Sequence, residues 1–532
     1  MQSVATPLPT STRAGLMEPQ KTKMKWTMKA LEFRKWKLVL GSAFAVLLTA
    51  GCAVGPNYQR PMVLGTNAMP AAFAGSTATN LGEWKSAEPS AHRPRGAWWE
   101  RFGEAELNRL ETLATGGNQD LAAAFAHFEQ ARALVNVVRA DLFPQVSTTP
   151  VVTRQRTSGN MSSGNSSTFN SFIVPLEASW ELDFWGRVRR GVEGARDRLT
   201  ASADDLESAK LDIQAEVAID YFKLRALAAQ RTLLAETLKT YQRALELTQN
   251  RHTSGIATEY DVSLAETQLK STEAQLPAVD LLAASLRHAL ATLCGQPATS
   301  FTIIEVTSPL TPAPDIPVAV PSELLESRPD IAAAERRMAA ANADIGLATA
   351  AFYPRVMLNG LAGFQSIDAG TLFNWPSRVW AVGPSLQLPL FTGGRNRAQL
   401  AYARAGYDMM VANYRQTVLN AFQEVEDQLA AQRLLAQEFD AENAALKSSR
   451  RTLEISNTRY KGGVITYLEV AIAQSSALAH EQTVVQISAS RLEASVSLIK
   501  ALGAGWSAND GRAAPPEPQT TASVGTIEKA VR

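Results

Sequence analysis

Cysteine and histidine are scarce in this chain, with two Cys and five His in 532 residues. Cys52 and Cys294 are the only thiols, so no disulfide framework can be assembled and the fold must rest on packing. The histidines His92, His127, His252, His288 and His480 lie far apart, and none forms a metal-spaced pair. A phosphate-cradling loop is missing as well, because Gly393-Gly394 lacks the Lys-Ser/Thr partner such a loop needs. Net charge is only +1, which leaves no basic footprint for a nucleic-acid partner. Proline is absent from 188–251 and again from 396–459. These gaps argue against an enzyme, a metal site and a cofactor, and for a protein dominated by long helices.

The N-terminus sets the compartment. Lys29, Arg34, Lys35 and Lys37 form a basic start, Leu38 to Leu48 an apolar run, and Thr49-Ala50-Gly51-Cys52 a small-residue exit. That run is too short to cross a bilayer core of about 30 Å and fits a cleavable signal over 1–51, with Met24 or Met28 as possible starts. Gly51-Cys52 resembles a bacterial lipobox, in which Cys52 becomes a lipid-bearing first residue, although Thr49 stands where the motif usually carries Leu. Removal of 1–51 takes the net charge from +1 to −5 by residue count. Residues 53 to 97, rich in Pro, Gly, Ala and Ser, are expected to wander over the surface.

The remainder is a duplication. Arg251-His252-Thr253-Ser254-Gly255-Ile256-Ala257-Thr258-Glu259-Tyr260-Asp261-Val262 returns as Arg459-Tyr460-Lys461-Gly462-Gly463-Val464-Ile465-Thr466-Tyr467-Leu468-Glu469-Val470, at an offset of 208 residues. Asp120-Leu121-Ala122 answers Asp330-Ile331-Ala332, Phe143-Pro144 answers Tyr353-Pro354, and Cys294-Gly295 answers Leu502-Gly503. Offsets this constant mark one internally repeated unit. Its expected organisation is a first repeat over 98–295, a Pro-rich connector over 296–328, a second repeat over 329–506 and a polar tail over 507–532 without apolar pattern.

Each repeat reads helix, strand, loop, strand, then a long helix pair. In the first, Phe172, Val174, Leu176, Ala178, Trp180, Leu182 and Phe184 alternate with Ser171, Glu177, Ser179, Glu181 and Asp183. In the second, Trp380, Val382, Leu386, Leu388 and Leu390 oppose Ser385 and Gln387. Ten-residue strands with one apolar face and terminal aromatics match transmembrane barrel strands, while a soluble sheet on a helical core alternates in the same way. Four strands cannot close a barrel, and open edges are not tolerated in lipid. If the strands are in a membrane, several chains must share one barrel, and three chains supply twelve strands.

The runs from Val188 to Arg251 and from Asn396 to Arg459 are long enough for helices of about 96 Å at about 1.5 Å per residue. Phe439, Leu446, Leu453 and Tyr460 recur every seven residues, and Ile213, Val217, Tyr221, Leu224, Leu234, Leu238, Tyr241 and Leu245 make a similar seam. Each long helix turns back at a glycine-centred tip. Such hairpins suit the wall of a conduit. The structural alternative is a lipid-anchored periplasmic coiled-coil scaffold or adaptor without a pore.

Several segments together resemble the TolC-like outer membrane factors, in particular the lipoprotein branch of OprM-like and NodT-type efflux components. They are Cys52-Ala53-Val54-Gly55-Pro56-Asn57-Tyr58, Trp98-Trp99, Trp180-Glu181-Leu182-Asp183-Phe184-Trp185-Gly186-Arg187, Arg328-Pro329-Asp330-Ile331, Gly383-Pro384-Ser385-Leu386 with Gly393-Gly394-Arg395, and both tips. The resemblance implies a homotrimer with a shared twelve-stranded barrel in outer membrane lipid and a helical tunnel through the periplasm. It implies as partners a periplasmic adaptor and an inner-membrane pump, for which the resistance-nodulation-division type is expected. It further implies that Glu469 lies in an acid ring gating the inner tip, with Tyr460 beside it, Ile465 in place of the family's basic tie, and Asp261 as the outer counterpart. The closed state is then expected to be held by packing of Val464, Ile465 and Tyr467. Gly255, Ile256, Gly462, Gly463 and Val464 match the turns that meet the adaptor.

Overall fold

The computed structural model describes residues 53–63, 96–160, 166–304, 309–314, 316 and 327–503. The expected signal over 1–51, the lipidation candidate Cys52 and the tail over 507–532 lie outside them. The described residues fall into two compact units, one drawn from 53–55, 142–190 and 349–391, the other from 56–141, 191–348 and 392–503.

The first unit is a sheet. Its strands are β1 (Gln145–Ser147), β2 (Val151–Arg156), β3 (Thr168–Glu181), β4 (Arg355–Ser366) and β5 (Arg378–Gln387). β1 and β2 both pair with the same side of β3, followed by β4 and β5, all antiparallel. The single strand expected after Phe143-Pro144 is thus interrupted at Thr148-Thr149-Pro150. Pro150 has no N–H to give to the ladder, and the Thr148 hydroxyl donates instead to the Pro175 carbonyl at 2.6 Å. The alternation in β3 holds through Glu181. Leu182 and Phe184 lie beyond its end, as Leu388 and Leu390 lie beyond β5, because the chain must turn at Gly186, at φ 77°, and at Pro389. At this end Trp185 donates to the Pro354 carbonyl at 2.8 Å and stacks on Tyr353 at 4.8 Å.

The second unit is helical. It comprises α1 (Ala105–Gly117), α2 (Gln119–Ala140), α3 (Arg187–Thr253), α4 (Glu259–Glu273), α5 (Gln275–Leu293), α6 (Pro329–Ala350), α7 (Arg395–Lys461) and α8 (Tyr467–Ala501), after a short 3-10 turn at Trp98–Phe102. The two proline-free runs form single helices of 67 residues each. The expected seams face inward: Val217, Tyr221, Leu234, Leu446 and Tyr460 are buried, and Phe439 and Leu453 are half-buried. The returning arms differ between repeats. α8 is one helix of 35 residues, whereas the first repeat breaks at Ala274 into α4 and α5. Pro277 explains the break, since it cannot donate to the carbonyl of Glu273 and its ring crowds that oxygen.

The segment expected to wander over 53–97 is anchored at residues 53–63, and its residues 64–95 lie outside the described ones. In the sheet unit, the Val54 amide donates to the Trp185 carbonyl at 3.0 Å. In the helical unit, Asn342 donates to the Pro56 carbonyl at 3.0 Å, and Arg60 pairs with Glu335 at 3.0 Å. The described part of the connector also packs down, with Phe301, Ile303, Leu310 and Ile316 against the core built around Trp98, Leu107, Tyr221 and Phe222. A buried charge pair fixes it there: Arg225 meets Glu104 at 2.7 Å, Tyr221 donates to the same carboxylate at 2.9 Å, and Thr311 donates to its other oxygen at 2.9 Å. Each member satisfies the next, which is the condition for a buried ion pair to persist.

Candidate functional site

The two tips close with the same backbone device. In the first, the Gly255 amide donates to the His252 carbonyl at 2.9 Å and the Ile256 amide to the Arg251 carbonyl at 2.8 Å. In the second, Gly463 donates to Tyr460 and Val464 to Arg459, both at 3.0 Å. This paired pattern is the Schellman ending of a helix, whose key residue sits in the left-handed region. Gly255 and Gly463 both have φ of 71° and supply it. Gly462, by contrast, has φ −76°, and a side chain there meets only ordinary contacts. Of the three tip glycines, two are required by the turn and Gly462 is not.

After the turn, Thr258 and Thr466 stand at matching N-cap positions, with Asp261 and Glu469 three residues on. The Asp261 carboxylate accepts from the Thr258 amide at 3.0 Å and its hydroxyl at 2.8 Å, and the Asp261 amide donates back to the Thr258 hydroxyl at 3.3 Å. Asp261 is therefore half of a capping box. Thr466 makes no side-chain cap bond, and Glu469 is exposed. Two acids that look equivalent in sequence have different duties: one is tied into its own helix start, the other projects from it. The Thr-x-x-acid spacing was a readable signal for the cap.

Tyr460 is buried and held by the first hairpin. Its carbonyl accepts from Arg251 Nη1 at 2.9 Å, the Arg251 guanidinium lies 4.6 Å from its ring centroid, and its hydroxyl is 3.5 Å from that of Thr248. Its ring meets Tyr467 edge-on at 5.6 Å. Tyr460, Tyr467, Val470, Ala471 and Ala265 form a small core against which Ile465 and Leu264 pack. Burial pushes the Tyr467 hydroxyl up to about 12, so it stays protonated. Of the trio expected to hold the closed state, Tyr467 is buried and Ile465 half-buried, but Val464 is 66% exposed and takes no part within one chain. Val464 is instead exposed in the turn, and Leu468 and Ile472 are exposed four residues apart on α8 beside Glu469. Ile256 and Tyr260 are exposed on the first tip. Arg251 and Thr248, which position Tyr460, were missed in sequence because their partner is more than two hundred residues away.

No group of three or more His, Cys, Asp or Glu residues arranged to hold a metal occurs among the described residues. Cys294, at the end of α5, is buried, and its thiol is pushed up to about 11 by that burial, which makes it unreactive.

The duplicated helix, strand and hairpin plan is matched by one family model, described as outer membrane efflux protein, over residues 111–296 and 320–504. The chain belongs to that family. It is an outer membrane efflux channel of efflux pump systems. It is 32% identical over 481 residues to the toluene efflux pump outer membrane protein TtgC of Pseudomonas putida, covering 90% of this chain and 97% of that one. It is 32% identical over 460 residues to the cation efflux system protein CusC of Escherichia coli, covering 86% of this chain and 97% of that one. The solved structure of the outer-membrane channel OprN aligns with a TM-score of 0.78 at 30% identity, over 86% of this chain and all of that one. The conduit reading of the efflux protein therefore holds, and its relatives are channels, not enzymes.

Proposed function

We propose that this efflux protein works as a homotrimer, in which three sheets close one twelve-stranded barrel in the outer membrane and the helical units form a periplasmic tunnel. One observation carries the reading. The sheet ends in open edges at β5 and at β1 and β2, and its apolar face leaves Leu176, Trp380, Val382 and Leu386 exposed. Such a sheet satisfies its backbone in lipid only by joining copies of itself edge to edge. The helices make the same demand, since Leu281, Leu282, Leu419 and Leu434 are exposed along their flanks.

Around the resulting axis, three Glu469 carboxylates form the acid ring that gates the inner tip. A ring of like charges attracts cations and repels anions. Gly255, Ile256, Gly462, Gly463 and Val464 meet a periplasmic adaptor, which links the channel to an inner-membrane pump of the resistance-nodulation-division type. Conduction is passive, and selection belongs to the pump. Relatives named for toluene and for cations stand at the same identity to this chain, which fits a tunnel that does not recognise cargo. Cys52 carries the lipid anchor, the only covalent addition expected.

The test is to purify the full chain, determine its mass and measure ion conductance in planar bilayers. A trimer with cation-selective steps is expected. A monomer that stays silent would establish the scaffold alternative instead.

A further inference from the structure

Strand register places three arginines together on the sheet. Arg154 stands opposite Asn170 and Arg156 opposite Thr168, while Phe172 stands opposite Val152. Val174 stands opposite Phe364, and Phe364 opposite Arg378. Directly paired residues share a face, and alternate residues of a strand return to it. Arg154, Arg156 and Arg378 therefore lie on the face of Phe172, Val174, Phe364 and Trp380, the apolar one. All three are at the end of the sheet that carries the two hairpin loops, away from the ends joined to the helices. Glu177 and Glu181 of β3 fall on the opposite face.

All three arginines are exposed, and among the described residues no carboxylate pairs with any of them. The one acid in the loop between β4 and β5, Asp368, is occupied with the Gly370 amide at 3.0 Å. Aromatic side chains flank the cations. The Arg378 guanidinium lies 3.8 Å from the Trp375 ring centroid, Phe373 meets Phe364 at 5.6 Å, and Trp375 and Phe373 are 74% and 70% exposed. A guanidinium on a lipid-facing surface is tolerated at the head-group level and not in hydrocarbon, and there it needs an anion from outside the protein. Arginine's planar fork matches the geometry of a phosphate, which it can hold through two parallel hydrogen bonds.

We propose that Arg154, Arg156 and Arg378 bind the phosphate groups of outer-leaflet lipid A, with Trp375 and Phe373 seated at the boundary between head groups and acyl chains. This rests on the barrel reading above. It adds that the loop end of the barrel is an anionic-lipid site, which would hold the trimer at a defined depth.

The experiment uses the purified full chain and four probes read by native mass spectrometry: bis-phosphorylated lipid A, the same lipid A without phosphates, phosphatidylglycerol and inorganic phosphate. Bis-phosphorylated lipid A is expected to bind in preference to the other three. Affinity should fall about fivefold for each of R154Q, R156Q and R378Q and about a hundredfold in the triple variant. Equal binding of dephosphorylated lipid A, or unchanged binding by the triple variant, would overturn the proposal. Equal binding of phosphatidylglycerol, or displacement by equimolar inorganic phosphate, would overturn the assignment to lipid A. The comparison of lipids on the unmodified chain does not depend on whether a variant folds. Failure of the barrel reading shows itself differently, as a monomer silent in bilayers whichever lipid is added.

Discussion

Glu111 is an anomaly at the scale of one residue. It has no exposed surface on α1, and neither carboxylate oxygen has a hydrogen-bond partner. Burial raises its pKa from an ordinary 4.5 to about 9, so the carboxyl is neutral at physiological pH. Across that window the folded chain keeps a proton that the unfolded chain has released. The folded state is therefore fully favoured below the unfolded value and loses stability as pH rises toward the folded one. Glu111→Leu should raise stability at pH 8 by about 1–3 kcal/mol and flatten the dependence between pH 5 and pH 9. Thermal melting of the solubilised protein at both pH values checks this; a variant that melts no higher at pH 8 contradicts it. In sequence, Glu111 was one charge among many on a helix, and only packing revealed it as buried.

At the scale of elements, the tips show how little of a motif is chemistry and how much is geometry. The run Lys461-Gly462-Gly463-Val464 reads as a doubly flexible turn, yet only Gly463 occupies the left-handed region. Gly463→Ala is expected to cost the turn about 1 kcal/mol and to speed amide exchange at positions 463 and 464 about fivefold. Gly462→Ala should leave exchange there unchanged or slower, because it only restricts the unfolded chain. Equal acceleration by both substitutions would contradict the assignment of the turn. Pro277 works in the opposite direction, splitting the return arm of the first hairpin while α8 runs on unbroken. The two hairpins share a plan and differ in stiffness, a difference legible in one proline.

At the scale of the whole molecule, the proposed trimer assigns the two tip acids different roles. Asp261 is held by Thr258, so Asp261→Ala should loosen the start of α4 by about 1 kcal/mol and leave conductance near its starting value. Glu469 is exposed and outside any cap bond, and the trimer proposed above would bring its three copies into one ring. Glu469→Ala should raise closed-channel conductance about twofold or more and weaken cation preference. Single-channel recording of both variants decides between them. Equal effects would remove the distinction between inner and outer tips while leaving the family assignment intact.

The sequence by itself determined the duplication, the two long helices, the strand alternation and the family, because each depends on local periodicity or on a repeated motif. The stretch from Arg154 to Thr168, rich in Ser, Gly, Asn and Thr, reads in sequence as a loop, and only the structure runs β2 through Arg156 and so puts Arg154 and Arg156 on one face. Their meeting with the face of Arg378 required the register of two intervening strands. The latch of Arg251 on Tyr460 required two seams, far apart in sequence, to pack at one height. The division of labour between Asp261 and Glu469 turned on a single hydroxyl, which Thr258 gives to its carboxylate and Thr466 does not. These are choices among side-chain partners of nearly equal local energy, and long-range packing alone makes them.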